Sequence, residues 1–133
     1  MEKKFNKETP QRSEGDHLLD ASMVTIDLPL FMKQIKDESS WKDSDRNSIT
    51  VFKTEGMRIV LIGLHKNAEM TKHKADGIIS VQVLEGQLKF TTDLQSVELG
   101  KEQMLTLHER IPHSVLAIEE TFFLLTLATS VVK

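Results

Sequence analysis

The sequence lacks several of the residues that cross-link or anchor small proteins. Its 133 residues include no cysteine, no tyrosine and one tryptophan. The absence of cysteine excludes disulfides and thiolate metal ligands, and it agrees with a reducing compartment. No apolar run reaches the roughly 18 residues that cross a bilayer, and Met1–Leu30 contains no signal-peptide core. We therefore expect a cytoplasmic protein without membrane contact.

The sequence also has no large excess of charge of one sign. The formal net charge is −3, and the 17 basic residues are scattered among 20 acidic ones. A nucleic-acid surface usually carries a basic stripe, so we expect no nucleic-acid partner. The length fits one domain with a real hydrophobic core.

The N-terminal segment differs in composition from the rest of the chain. Residues 1–17 are polar, and they include Pro10, Gly15 and one aromatic residue, Phe5. Such a segment cannot bury enough apolar area to offset the entropy lost on ordering. We predict a mobile arm over residues 1–17 and a single folded domain over residues 18–133.

The first apolar part of the domain mixes strand and helix signals. Val24–Leu28 alternates like a half-buried strand that ends before Pro29. Leu30–Lys36 has apolar residues at helical spacing, which predicts one short helix. Ser39–Asn47 is rich in serine and aspartate and indicates a surface loop, anchored to the body of the domain by Trp41.

Short strand patterns then follow one another to the end of the chain. Glu85–Gly86 is predicted to be a hairpin turn with Gly86 at positive φ, and His65–Lys72 a polar connection. Many short strands with frequent turns are typical of an all-β sandwich or barrel. The predicted strands are Ile49–Phe52, Met57–Leu64, Ile78–Leu84, Gln87–Thr91, Ser96–Leu99, Met104–Leu107, Ser114–Ile118 and Phe122–Ala128.

Two of these segments combine a histidine, an apolar strand and a turn. The first, His73–Gly86, resembles the first motif of the cupin superfamily, with His73 at the first histidine position and Gly86 at the closing glycine. Ala75 stands where the family has its second histidine, and Ile79 where it has a glutamate. Two of the usual metal ligands of cupins are therefore missing.

The second segment resembles the second cupin motif more loosely. His113 falls at the motif histidine and follows a proline. The glycine, proline, glycine and asparagine positions of that motif hold other residues: Glu102, His108, Arg110 and Ala117. The resemblance spans about Ile49–Ala128 and implies an all-β double-stranded β-helix, the jelly-roll barrel of small RmlC-like cupins with reduced metal motifs.

The resemblance implies that His73 and His113 meet in a largely apolar pocket. A divalent transition metal such as Zn, Fe, Ni or Mn would need a third donor. We rank His108 first for that role, ahead of Glu109, Gln82, His65 and water. The predicted pocket lining is His73, His113, Ile79, Val81, Val83, Met104 and Leu107.

Two functions remain open at this point. In the first, the barrel binds a small, largely apolar molecule without turnover and has a weak or incomplete metal site. In the second, it is a metal-dependent dioxygenase, isomerase or lyase that uses His73 and His113. A sugar-epimerase type of chemistry would need a tyrosine acid, which the chain lacks. We also expect a homodimer, because pairing through barrel-edge strands would cover an open edge.

Overall fold

The strands form two main antiparallel sheets in the computed structural model of the chain, which describes residues 4–5 and 17–130. One sheet has five strands in the order β3–β4–β11–β6–β9, and the other has four in the order β5–β10–β7–β8. A two-stranded ribbon, β1–β2, lies beside β3. The elements are β1 (Lys4–Phe5), β2 (Leu18–Asp20), α1 (Leu28–Asp37), α2 (Ser39–Asp43), β3 (Arg46–Thr54), β4 (Met57–Leu64), β5 (Glu69–His73), β6 (Ile78–Glu85), β7 (Gln87–Thr92), β8 (Ser96–Gly100), β9 (Met104–Leu107), β10 (His113–Ala117) and β11 (Thr121–Ala128).

The inner faces of the two main sheets enclose one hydrophobic core. Along β6 the buried residues alternate with less buried ones, as expected for a strand with one face in the core. Ile79, Val81 and Val83 are at most 3% exposed, and they pack with Phe90 and Val115 of the opposite sheet. The predicted all-β jelly-roll barrel is confirmed.

The outer face of the five-stranded sheet carries a second core beneath the two helices. The predicted strand at Val24–Leu28 is wrong, because Asp27 caps α1 by accepting a hydrogen bond from the Leu30 amide. Pro29 lies in the first turn of that helix, where its missing N–H costs nothing. The predicted short helix is confirmed, and its Ile35 is fully buried.

Trp41 holds the second helix against the sheet. The predicted loop at Ser39–Asn47 is wrong in part, because α2 occupies Ser39–Asp43. Trp41 is buried as expected, and its ring stacks on His65 with centroids 3.6 Å apart. Gly63 makes room for it, since a Cβ there would come within 2.7 Å of the Phe122 ring and 3.1 Å of the Trp41 ring.

Two further predictions about connections were wrong. The strands on either side of Glu85–Gly86 do not form a hairpin, because β6 pairs with β9 and β11 whereas β7 pairs with β8 and β10. The turn instead carries the chain from one sheet to the other. The predicted connection His65–Lys72 contains the start of β5, which pairs with β10 despite its polar sequence.

The predicted mobile arm, residues 1–17, lies mostly outside the described residues. Within the described part, the backbone of Lys4–Phe5 pairs with β2, and His17 Nε2 lies 2.8 Å from the Thr50 carbonyl oxygen. No helix among the described residues is long and apolar enough to cross a membrane.

Gly86 provides a test of the corner between the sheets. Its φ is +96°, and a Cβ there would meet the Glu120 carbonyl oxygen and approach Thr121 Oγ1 at 2.5 Å. We expect Gly86→Ala to lower the free energy of unfolding by about 1–3 kcal/mol, measured by urea denaturation. Gly100→Ala is the matched control, since its nearest neighbour would be Gln103 Oε1 at 3.6 Å. Equal stability of the two variants would contradict this account of the corner.

Candidate functional site: a histidine pair at the barrel mouth

The structure brings His73 and His113 together at the end of the barrel where β5 and β11 end and β4 and β6 begin. We call this end the mouth. His73 ends β5, His113 begins β10, and the two residues are directly paired across these strands. Their ring centroids are 4.4 Å apart at an interplanar angle of 60°. His113 is 4% exposed, whereas His73 is exposed to solvent. The pair therefore spans the boundary between the barrel interior and the solvent.

A backbone carbonyl fixes the tautomer of each ring. Nδ1 of His73 lies 2.7 Å from the Thr71 carbonyl oxygen, and Nδ1 of His113 lies 2.9 Å from the Ile111 carbonyl oxygen. A carbonyl oxygen only accepts, so Nδ1 must carry the proton in each ring. In the neutral state both rings therefore have a bare Nε2, the atom that accepts a hydrogen bond or ligates a metal.

The surroundings of His113 favour its neutral form. Burial lowers the pKa of His113 below its ordinary value of 6.5, and the neighbouring His73 lowers it further, against an opposing hydrogen bond to Ile111. The Phe90 ring stacks on His113 with centroids 5.2 Å apart, which adds an apolar neighbour. Near neutral pH His113 is thus an acceptor at Nε2.

The wall opposite the histidines is apolar. Leu127, Ile79 and Leu107 are cross-strand partners on β11, β6 and β9, so they form one row on the inner face of the five-stranded sheet. Ala75, in the loop after His73, packs against the same core. Ala75 and Ile79 stand at the positions that the motif resemblance assigns to metal ligands, and in the structure both contribute hydrocarbon to the core.

The other predicted lining residues divide into two groups. Val81 and Val83 face the barrel interior, further along β6 from the mouth. Met104 was predicted to line the pocket and does not, because it is 53% exposed and pairs with Gln82, whose face of β6 points away from the barrel core. Its neighbour Leu105 faces the interior instead and pairs with Val81.

The donors do not make up a three-ligand metal site. Across residues 17–130 no three histidine, aspartate or glutamate side chains come close enough to hold an ion. His108, the predicted third ligand, is exposed in the loop after β9 and belongs to no such group of donors. Two imidazoles fall short of the three or four protein ligands that a catalytic divalent site needs.

Sequence reasoning missed three residues of the mouth. Leu127 lies between Arg58 and Ile79 in the cross-strand register, and Lys53 pairs with Arg58. The row of cross-strand partners on the inner face therefore begins with two cations, and its full order is Lys53, Arg58, Leu127, Ile79 and Leu107. The alternation along Met57–Leu64 could have placed Arg58 on the same face as Val60, but the pairing partners could not be known from the sequence.

Comparison with known proteins identifies the architecture. No protein-family model matches the sequence, and no curated protein matches it significantly. Among solved structures, the chain is similar to an RmlC-like cupin from Desulfovibrio desulfuricans, with 25% identity over 65% of this chain and 84% of that one and a TM-score of 0.59. The chain has the cupin fold.

Two other solved structures are similar to this chain. A conserved protein of unknown function from Streptococcus pyogenes matches with 24% identity over 65% of this chain and 76% of that one, at a TM-score of 0.62. An HTH_3-family transcriptional regulator from Vibrio cholerae matches with 25% identity over 68% of this chain and 54% of that one, at a TM-score of 0.59.

The lowered pKa of His113 predicts how stability depends on pH. Because the unfolded chain takes up this proton near pH 6.5 and the folded chain does so only at lower pH, acidification favours unfolding. We expect the free energy of unfolding to fall as the pH drops below about 6.5 and on through the lowered pKa. His113→Gln should flatten this part of the profile, whereas His108→Gln should not. Urea titrations between pH 7.5 and 5 measure it, and an unchanged slope in His113→Gln would contradict the prediction.

Proposed function

We propose that this cupin barrel is a small-molecule binding module that works without turnover. The observation that carries the proposal is the histidine pair, whose Nδ1–H groups donate to backbone carbonyls and whose Nε2 atoms have no hydrogen-bond partner among the described residues, opposite an apolar wall. Lone pairs in fixed positions beside hydrocarbon suit a ligand with an O–H or N–H donor on an apolar body.

The side chains around the pair support binding more than chemistry. Acid–base catalysis or metal catalysis would be helped by a carboxylate beside the imidazoles, yet no such three-residue cluster occurs across residues 17–130. Ala75 and Ile79 add contact area instead. The similarity to a transcriptional regulator also agrees with a barrel that senses a molecule and does not transform it.

The alternative function is a metal-dependent dioxygenase, isomerase or lyase. One observation favours it, namely that two imidazole rings lie with their centroids 4.4 Å apart and each donates from Nδ1 to a backbone carbonyl. The donors among residues 17–130 do not complete a catalytic site, and Ala75 and Ile79 stand at the motif positions of two cupin ligands. We therefore give binding without turnover as the conclusion.

Metal content and ligand binding distinguish the two functions. We expect protein purified without an affinity tag to contain metal well below one equivalent by elemental analysis. We further expect 4-phenylbutanol, an apolar alcohol, to shift the backbone resonances of Ala75, Ile79 and Leu107 in NMR titrations. His73→Ala and His113→Ala should weaken this binding several-fold because each removes one acceptor, and His108→Ala should leave it unchanged. Stoichiometric metal that both pair variants lose would overturn the proposal in favour of the enzyme.

We also propose that two copies pair along β9. This strand is an edge of the five-stranded sheet and is only four residues long. Beside it, the outer face carries a patch of uncharged residues. These are Met57, Ile78, Ser80, Gln82, Met104, Thr106 and Ala128, of which Met57, Ile78 and Met104 are 40%, 47% and 53% exposed. An uncharged face next to a free edge is complementary to a second copy of itself.

A charge in this patch should therefore disrupt the dimer. We expect Met104→Lys to shift the chain from dimer to monomer in light scattering after gel filtration, because two buried ammonium groups would face each other across the pairing axis. Leu94→Lys is the control, since Leu94 is 94% exposed in the turn between β7 and β8 of the other sheet. A wild-type chain that is already monomeric at high micromolar concentration would refute the pairing.

A further inference from the structure

Two cations extend the apolar row at the barrel mouth. Lys53 pairs with Arg58, Arg58 pairs with Leu127, and Leu127 pairs with Ile79. Directly paired residues of an antiparallel sheet share a face. Ile79 and Leu127 belong to the barrel core, so the side chains of Lys53 and Arg58 lie on the inner face at the same end of the barrel.

These two cations have no acidic partner in the described part of the chain. The ion pairs found there involve Arg46, His65, Lys72 and Arg110, and neither Lys53 nor Arg58 takes part in one. Like charges placed directly opposite each other on neighbouring strands are destabilising. The arrangement therefore leaves a local excess of positive charge beside an apolar wall.

A cleft lies at this cationic end of the row. It has a volume of about 240 Å³ and lies at the strand ends, where the row contributes Lys53, Arg58 and Leu127 and the neighbouring residues Thr54, Gly56, Met57 and Thr129 complete the lining. A guanidinium offers a planar fork of donors that matches a carboxylate, and an ammonium and two hydroxyls add further donors. The cleft thus combines anion-binding groups with the edge of the apolar row.

We propose that the barrel mouth takes an amphipathic carboxylate, whose anionic group lies between Lys53 and Arg58. The proposal deepens the proposed function and rests on it. Neighbouring strands are about 4.8 Å apart, so Ile79, two strands from Arg58, lies roughly 10 Å away. A molecule of that length whose carboxylate is held at Arg58 extends along the row past Leu127 toward Ile79.

Leu127 distinguishes this ligand class from inorganic phosphate. It is the direct neighbour of Arg58 in the row, so an anion held by Arg58 has hydrocarbon on one side. A compact, fully hydrated phosphate gains nothing from that contact, whereas a carboxylate attached to an aryl or alkyl body buries apolar area there. The structure therefore favours the carboxylate.

A matched pair of ligands tests the proposal. 4-Phenylbutyrate and 4-phenylbutanol share one apolar body and differ in the head group. The carboxylate is attracted by the two cations and offers no donor to the histidines, whereas the hydroxyl is uncharged and can donate to them. We expect the acid to bind the full chain about tenfold more tightly than the alcohol, a difference typical of one charge-assisted hydrogen-bond pair. Calorimetry gives the affinities, and backbone resonance shifts of Arg58, Leu127 and Ile79 locate the ligand.

Variants of the two cations provide the second part of the test. Arg58→Gln should remove most of the advantage of the acid over the alcohol, Lys53→Gln should remove part of it, and Arg58→Lys should keep part of it as a point charge. Lys42→Gln, on the helix that covers the opposite face of the sheet, should change neither affinity. The affinity of the alcohol should stay the same in all four variants, which shows that they remain folded.

The outcomes separate this proposal from the one it rests on. If acid and alcohol bind the wild-type chain equally, or if the advantage of the acid survives in Arg58→Gln and Lys53→Gln, the cationic subsite is wrong and small-molecule binding at the mouth stands. Inorganic phosphate that binds as tightly as 4-phenylbutyrate and displaces it would overturn the carboxylate class. If neither organic ligand shifts the resonances of the mouth, both proposals are refuted.

Discussion

The cross-strand register of the five-stranded sheet is the constraint on which the rest of the molecule depends. Side chains alternate between the two faces of a strand, so a slip of one residue would exchange every inner residue for an outer one. The register along β11 places Leu127 and Phe123 inside the barrel and Phe122 under the helices. The same register places Arg58 beside Leu127 and so determines the composition of the mouth.

The strands could be predicted from the sequence better than their partners. Met57–Leu64 and Met104–Leu107 were predicted with the bounds they have in the structure, because their apolar patterns are local. The Glu85–Gly86 corner was mistaken for a hairpin, since a tight turn with positive φ has the same local sequence whether its strands pair or separate into two sheets. β5 was missed because it gains its hydrogen bonds from β10, and its own residues have no apolar alternation.

At the site too, what depends on the local sequence could be predicted, and what depends on strand pairing could not. The spacing of the cupin motifs was enough to predict that His73 and His113 belong together, and they do lie side by side. Met104 was misplaced because its pairing with Gln82 decides which face of β9 it lies on, and this pairing cannot be read from the sequence. His108 was misplaced because it lies exposed in the loop after β9. Lys53 and Arg58 were overlooked because neither belongs to a recognisable motif, and only the cross-strand pairing places them in the row.

The adjacent phenylalanines of β11 have a consequence for how the protein unfolds. Phe122 is buried in the core under the helices and Phe123 in the barrel core, and both are 1% exposed. One strand thus forms part of two cores, so displacement of β11 would dismantle both. We therefore expect a single cooperative transition in which helical and β-sheet signals are lost together, as in a domain with only one core.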